Sequence, residues 1–336
     1  MGWLSGWVYR RAVTITEQSG GTLTDFQVRV ELNSSNFDFS KANADGSDIR
    51  FTEDDGETLL PYWIEKWDST SEEAIIWVKV PSIPANGETT IYIYYGNSGA
   101  GSESDGEAVF EFFDDFEDGV IDSEKWTEIN AGDLSYCSES GGVLTITANF
   151  GDWTDHGLQS IQPVLDAGVA IEVRAQKAST NLGDCFIGYS SNWASEHREP
   201  TGGLFGYYDG DWIELGDVHE NVWSRYTVKL LSSTEFKVVR DSQEWSRTRS
   251  AVSLPTALQV AGAFRDSNTV KFDFVAVRKY VVPEPTASVG SEETLIKAWD
   301  GSQWKDIKAI YYWDGSSWVK AKGAYYWNGS QWIRIF

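Results

Sequence analysis

Apolar and polar residues alternate along this chain with a period of two. The runs RRAVTIT (10–16), FQVRVEL (26–32), AIIWVKV (74–80) and TIYIYYG (90–96) put one apolar face on each segment, the pattern of half-buried β-strands. No stretch sustains helical spacing between caps over three turns, and one short helical turn is expected near NSSNFDFSKANADG (33–46). The pattern predicts an all-β chain: two β-sandwich (jelly-roll) domains and then a module of β-hairpin repeats.

The alternation fails in two places. GNSGAGSESDGE (96–107) is small and polar, and VVPEPTASVGSEE (281–293) sets two prolines around Glu284; the first reads as a loop or linker, the second as a stiff connector. The expected domains are 1–105, 106–283 and 292–336, with a linker at 284–291. Truncation at Pro285 is then expected to leave both large domains folded.

The last segment holds three copies of one phrase, KAWDGSQWK (297–305), YYWDGSSWV (311–319) and YYWNGSQWI (325–333). Their tryptophans, Trp299, Trp313, Trp327 and Trp304, Trp318, Trp332, recur every fourteen residues. A Gly-Ser pair fits the centre of a type II′ turn, where glycine takes the first position. That register opposes the two tryptophans of each copy, and sets Tyr311 against Lys320, Tyr325 against Arg334 and Lys297 against Asp306. Two-faced hairpins are not stable alone, so self-association through the face carrying Ile333 and Ile335 is expected.

The formal charge of −24 argues against nucleic acid as a partner, and no segment has the run of apolar residues a membrane span needs. The 46 residues from 291 carry +1, so the acidity lies in the first 290. The opening MGWLSGWVYRR does not read as a secretory signal. Cys137 and Cys185 have no metal-type spacing; one bridge or two buried thiols both fit.

Three resemblances sharpen the reading. Trp-x-Tyr-Arg, Asp-Ile-Arg-Phe, Leu-Pro-Tyr-Trp-Ile-Glu and Tyr-Tyr-Gly-Asn, across 7–97, resemble a family of uncharacterised β domains of archaeal and bacterial surface proteins and viral proteins. Asp-Phe-Glu-Asp-Gly (115–119), Asp-x-x-Lys-Trp (122–126) and a closing strand with Asp273 resemble the concanavalin A-like lectin/glucanase sandwich (laminin G-like) over about 110–280. The Trp-Asp-Gly-Ser-x-Trp repeats resemble those ending tailed-virus fibre and tail-tip proteins. Glycan-cleaving enzymes of the sandwich family resemble one another in a Glu-x-Asp-x-x-Glu strand, absent here; Glu214, Asp217 and Glu220 in DWIELGDVHE make a poor substitute.

The resulting expectation is a non-enzymatic virion surface protein, a fibre, turret or tail-tip adhesin. It would contact a host-surface glycan or glycoprotein and other virion proteins as a homo-oligomer, a trimer by resemblance to viral fibres. It would be assembled in the host cytoplasm and displayed extracellularly. The alternatives are a secreted or cell-surface carbohydrate-binding adhesin and a purely structural virion protein. No hydrolase activity is expected. Trp193, His197, Arg198, Tyr208, Asp209 and Trp212 are the candidate glycan contacts, rings for sugar faces and polar groups for hydroxyls. Asp115, Glu117, Asp118 and Asp273 are the candidate cage for a structural calcium.

Overall fold

The computed structural model describes residues 2–129, 134–148, 154–178, 180–189, 192–199, 202–209, 212–249, 251–264, 268–299, 302, 304–307, 310–321, 325–327 and 332–334. Nearly every regular element is a strand, as the alternation predicts. The expected helical turn is a single 3₁₀ turn, Phe39–Lys41, capped by Asp38.

The chain divides into two compact units, residues 1–105 with 285–336 and residues 106–284. In the first, seven strands precede residue 105: β1 Tyr9–Thr16, β2 Leu23–Asn33, β3 Arg50–Thr52, β4 Leu59–Leu60, β5 Tyr62–Asp68, β6 Glu73–Ile83 and β7 Glu88–Tyr95. β2, β6 and β5 form a three-stranded sheet, and β1, β7, β3 and β4 belong to a five-stranded one. Alternate residues fill the core, among them Val13, Ile15, Phe51 and Ile93 from the larger sheet and Val28, Val30, Ile76 and Val78 from the smaller.

The second unit is a larger sandwich. Its first strands are β8 Phe112–Asp114, β9 Trp126–Glu128, β10 Cys137–Glu139, β11 Leu144–Ala148, β12 Thr154–Ser160, β13 Val169–Lys177, β14 Gly183–Tyr189 and β15 Asn192–Glu199. They are followed by β16 Gly202–Asp209, β17 Trp212–Gly216, β18 Ser224–Leu230, β19 Glu235–Arg240, β20 Gln243–Thr248, β21 Gln259–Phe264 and β22 Asn268–Lys279. One sheet runs β10-β11-β22-β13-β18-β19-β20, with β8 also on β22; the other runs β17-β16-β15-β14-β21-β12-β9. Leu144, Val173, Val228, Phe236 and Phe272 of the first meet Leu158, Ile187, Phe205, Tyr207 and Val260 of the second in one buried cluster. Cys185 lies in this cluster and Cys137 on β10, and the two form no disulfide.

The expected linker at 284–291 is corrected. Residues Thr286–Thr294 form a strand, β23, that returns to the first unit and pairs antiparallel with β1 from Tyr9↔Thr294 to Thr16↔Thr286. Two prolines made this stretch look like a spacer, but both precede the strand, where a missing amide donor costs nothing. Glu293 meets the largely buried Arg10 at 2.7 Å, and Glu292 meets Lys41 at 2.6 Å and accepts from Tyr95 Oη at 2.9 Å. Arg10 also stacks over Tyr92 at 4.1 Å and donates to Tyr94 Oη.

The repeats form three hairpins, β24 Ile296–Trp299 with β25 Trp304–Ile307, β26 Tyr311–Trp313 with β27 Trp318–Lys320, and β28 Tyr325–Trp327 with β29 Trp332–Arg334. Trp299↔Trp304, Trp313↔Trp318 and Trp327↔Trp332 oppose one another, as turn chemistry predicts. Gly315 has φ +104°, and the Asp314 amide donates to the Ser317 carbonyl at 3.1 Å. The Trp313 and Trp318 rings meet edge-on at 5.7 Å and are 54% and 68% exposed. The side chains of Trp299, Trp304, Trp327, Trp332 and Ile333, and all of Ile335, lie outside the described residues.

Candidate functional site

The seven-stranded sheet of the second unit has one face in the core and one outside it, and strand alternation sorts its residues. Cys185, Ile187 and Tyr189 of β14, Ala194 of β15, and Phe205 and Tyr207 of β16 belong to the core cluster. Asp184, Phe186, Ser195, His197 and Tyr208 therefore belong to the opposite face. This face is recessed: Phe186 is fully buried, Ser195 is 1% exposed, and Asp184 and His197 are 4% exposed.

Asp184 and His197 are register partners on β14 and β15, and the imidazole Nδ1 is hydrogen-bonded to the carboxylate. Four residues back along β15, Gly188 pairs with Trp193, Trp193 with Tyr208 on β16, and Tyr208 with Trp212 on β17. Positions 193, 208 and 212 thus form a single cross-strand row. Glu199 closes β15 opposite Gly202 and shares the parity of Ser195 and His197. Glu214 pairs with Gly206 on the same face and is exposed.

The sequence-predicted contacts are brought together only in part. Position 193 lies in a regular strand, because Asn192–Glu199 pairs on both sides. Arg198 has the opposite parity to His197 and turns towards Glu220, 3.6 Å from its Nε. The side chains of Trp193, Asp209 and Trp212 lie outside the described residues. Asp184 and Ser195 were missed: GDCFIGY carries only the signal of a buried strand, and its partner becomes visible only through the β14–β15 register.

Behind this face, Glu196 of β15 points into the core. It accepts from Tyr226 Oη at 2.8 Å, Arg240 Nη1 at 3.0 Å and the His219 amide at 2.7 Å. Burial pushes the Glu196 carboxyl up, against the pull of these donors. Lys177, fully buried, is pushed down by burial against the attraction of Glu220, 3.6 Å away. His156 pairs with Glu128 at 2.9 Å, and both are buried. These groups hold the sheet; none reaches the outer face.

The calcium set does not converge. Asp273 is drawn to Arg174 at 2.8 Å, while Asp118 accepts from the Val120 amide at 3.0 Å. Burial pushes Asp115 up, and burial with the neighbouring Asp118 pushes Glu139 up to about 7. Among the described residues, no group of three or more such side chains is placed to hold a metal ion. The acidic phrase has a packing role through Asp114, which accepts from Trp126 Nε1 at 2.6 Å and the Phe116 amide at 2.9 Å. Asp114→Ala leaves both buried donors unmet and should destabilise the second unit by about 1–3 kcal/mol, read as a lower denaturant midpoint.

Residues 45–129 match the model of a domain of unknown function, DUF2341. No curated protein matches the chain. Solved structures similar to the chain include an endo-β-1,3-glucanase from Pyrococcus furiosus, at 13% identity, covering 52% of this chain and 95% of that one with a TM-score of 0.40. A β-1,3-1,4-glucanase (lichenase) derived from a mouse hindgut metagenome is 11% identical, covering 50% and 98% with a TM-score of 0.39. A glycosyl hydrolase family protein from Mycobacterium fortuitum is 13% identical, covering 50% and 99% with a TM-score of 0.40. The second unit is a two-sheet β-sandwich, the architecture that the resemblance over 110–280 implies. The expectation of a non-enzymatic virion adhesin, and with it the expected lack of enzyme activity, is corrected by these findings: the similar structures are glycoside hydrolases.

Proposed function

We propose that the second unit is a carbohydrate-active domain that takes a glycan along the outer face of its seven-stranded sheet and hydrolyses it there. The observation that carries this reading is the aromatic row at 193, 208 and 212, in register beside a recessed carboxylate–imidazole pair. Aromatic faces take the C–H faces of sugar rings, and the row favours a chain laid across β15, β16 and β17.

The row and the pair are four residues apart on β15, about 13 Å along the strand. Asp184 holds the His197 ring in one orientation through its Nδ1. Position 199 lies two residues beyond 197 on β15, diagonal to 184 in the backbone register. In this reading Asp184 and Glu199 flank the scissile bond, one donating a proton to the leaving oxygen and the other assisting attack by water.

Incubation with a panel of neutral polysaccharides should release reducing ends. Asp184→Asn and Glu199→Gln should each lower kcat by about 100-fold or more with the fold intact by circular dichroism. Trp193→Ala should act mainly on KM. Release of reducing ends that survives both carboxyl substitutions, or no release from any polysaccharide, would overturn the assignment.

A further inference from the structure

The two sheets of the second unit end on different edge strands, β17 in one and β20 in the other. Between these edges opens a cavity of about 630 Å³, the size of a small-ligand site and separate from the aromatic row. Gly216, Asp217 and His219 line one side, and Arg240, Gln243 and Trp245 the other.

The cavity is built, not merely left between edges. A bulge in β17, where the register with β16 shifts between Phe205 and Gly206, redirects the strand at Leu215. It leaves Gly216 as a bare floor: a Cβ there would lie 3.3 Å from Arg240 Nη2 and 3.8 Å from Trp245 Cζ2. Guanidinium and indole thus converge above one glycine.

Arg240 is 4% exposed and cannot swing away. Its Nη1 donates to Glu196 at 3.0 Å and to the Asp217 carbonyl at 2.7 Å, and its Cζ stacks on Phe205 at 4.3 Å. Trp245 is braced by Phe205, ring to ring at 5.5 Å, and stays partly exposed. A fixed donor and a fixed ring are thereby set on opposite sides of a polar hollow, with the exposed Asp217 carboxylate and Gln243 amide at its mouth.

We propose that this cavity is a second saccharide site that takes one neutral sugar residue of a glycan. The ring face of the sugar stacks on Trp245; vicinal hydroxyls accept from Arg240 Nη2 and donate to Asp217. The ligand is neutral because Arg240 already faces Glu196, while Asp217 adds a negative charge at the mouth. Glu244, the other acid there, is tied to Lys229 at 3.2 Å and Lys237 at 2.8 Å. The assignment rests on the carbohydrate-active reading of the same unit, and binding here holds a chain whose other part lies elsewhere.

The test is saturation-transfer NMR and tryptophan fluorescence titration of the full chain with neutral gluco-, manno- and galacto-trisaccharides, and with a glucuronate-containing trisaccharide. At least one neutral trisaccharide should bind, and Trp245→Ala and Asp217→Asn should each weaken it tenfold or more. Should Trp245→Ala fail to fold, Asp217→Asn and Gln243→Ala decide, since both residues are exposed. Binding unchanged in Asp217→Asn and Gln243→Ala, absence of binding by every neutral trisaccharide, or tighter binding of the acidic one, would overturn the proposal. Binding that depends on Trp245 and Asp217, with no reducing ends released from any polysaccharide by the wild-type chain, fails the sheet-face reading alone.

Discussion

Deleting residues 285–336 should unfold the first unit, or lower its melting temperature by more than about 10 °C, while the second unit keeps its own transition. The deletion removes β23, so β1 becomes an unpaired edge along its whole length. It also strips Glu293 from Arg10, whose side chain is 7% exposed, and Glu292 from Lys41 and Tyr95. Arg10 keeps the Gly2 carbonyl and Tyr94 Oη, so loss of the half-exposed Glu293 costs about 1.5–3 kcal/mol, and roughly 1 kcal/mol moves the midpoint of a domain this size by several degrees. Deleting 295–336 keeps β23 and should shift the first transition by no more than about 4 °C. Calorimetry on the two deletions separates the strand from the hairpins. If the longer deletion melts like the shorter one, β23 is an accessory.

Glu172→Ala is expected to have the largest single-residue effect in the second unit. Glu172, 1% exposed on β13, accepts from Arg278 Nε at 2.8 Å and Thr227 Oγ1 at 2.7 Å, and meets Arg225 at 2.8 Å. Burial works against its ionisation, but Arg225 and Arg278 outweigh it and hold the carboxyl below its usual value of 4.5. The group is therefore more easily ionised in the folded unit than in the unfolded chain. Its contribution is complete above the unfolded value and is lost as pH falls from about 4.5 through the lower folded one. The alanine variant should lose about 3–5 kcal/mol at pH 7 and show a shallower acid limb in stability against pH. Glu172→Leu combined with Arg278→Met should recover part of that loss, because it removes the stranded charge together with its partner. Equal acid limbs in wild type and variant would place the acid sensitivity elsewhere.

The legible parts of this protein are those that depend on near neighbours in sequence. The alternation of AIIWVKV reports a strand with one apolar face wherever it packs, and β6 carries it. The Trp-x-Gly-Ser-x-Trp phrase fixes its own register, because one glycine must take a positive φ and the flanking tryptophans then face each other. The cap of Phe39–Lys41 by Asp38 is local in the same way.

The site was less legible, for a physical reason. Whether His197 is a surface hydroxyl-binding group or a ring held by Asp184 depends on which residue β14 sets across from it, thirteen positions away. Within the strand, Glu196, His197 and Arg198 look alike as polar neighbours. Alternation sends Glu196 inward to Tyr226 and Arg240, and His197 to the outer face with Asp184. Asp273 looked like a ligand until Arg174, paired only through the β13–β22 register, claimed it.

The sequence by itself determined that the chain is all-β, where most of its strands run, and how each tail hairpin closes, since these follow from side-chain period and turn conformation. Only the tertiary structure decided that residues 286–294 return to complete the first unit, that Asp184 meets His197, and that Arg240 and Trp245 converge over Gly216. Each of those pairs residues distant in the chain. A strand's edge offers the same amides and carbonyls to any partner, and the choice is made by burial of side chains that no local pattern can weigh.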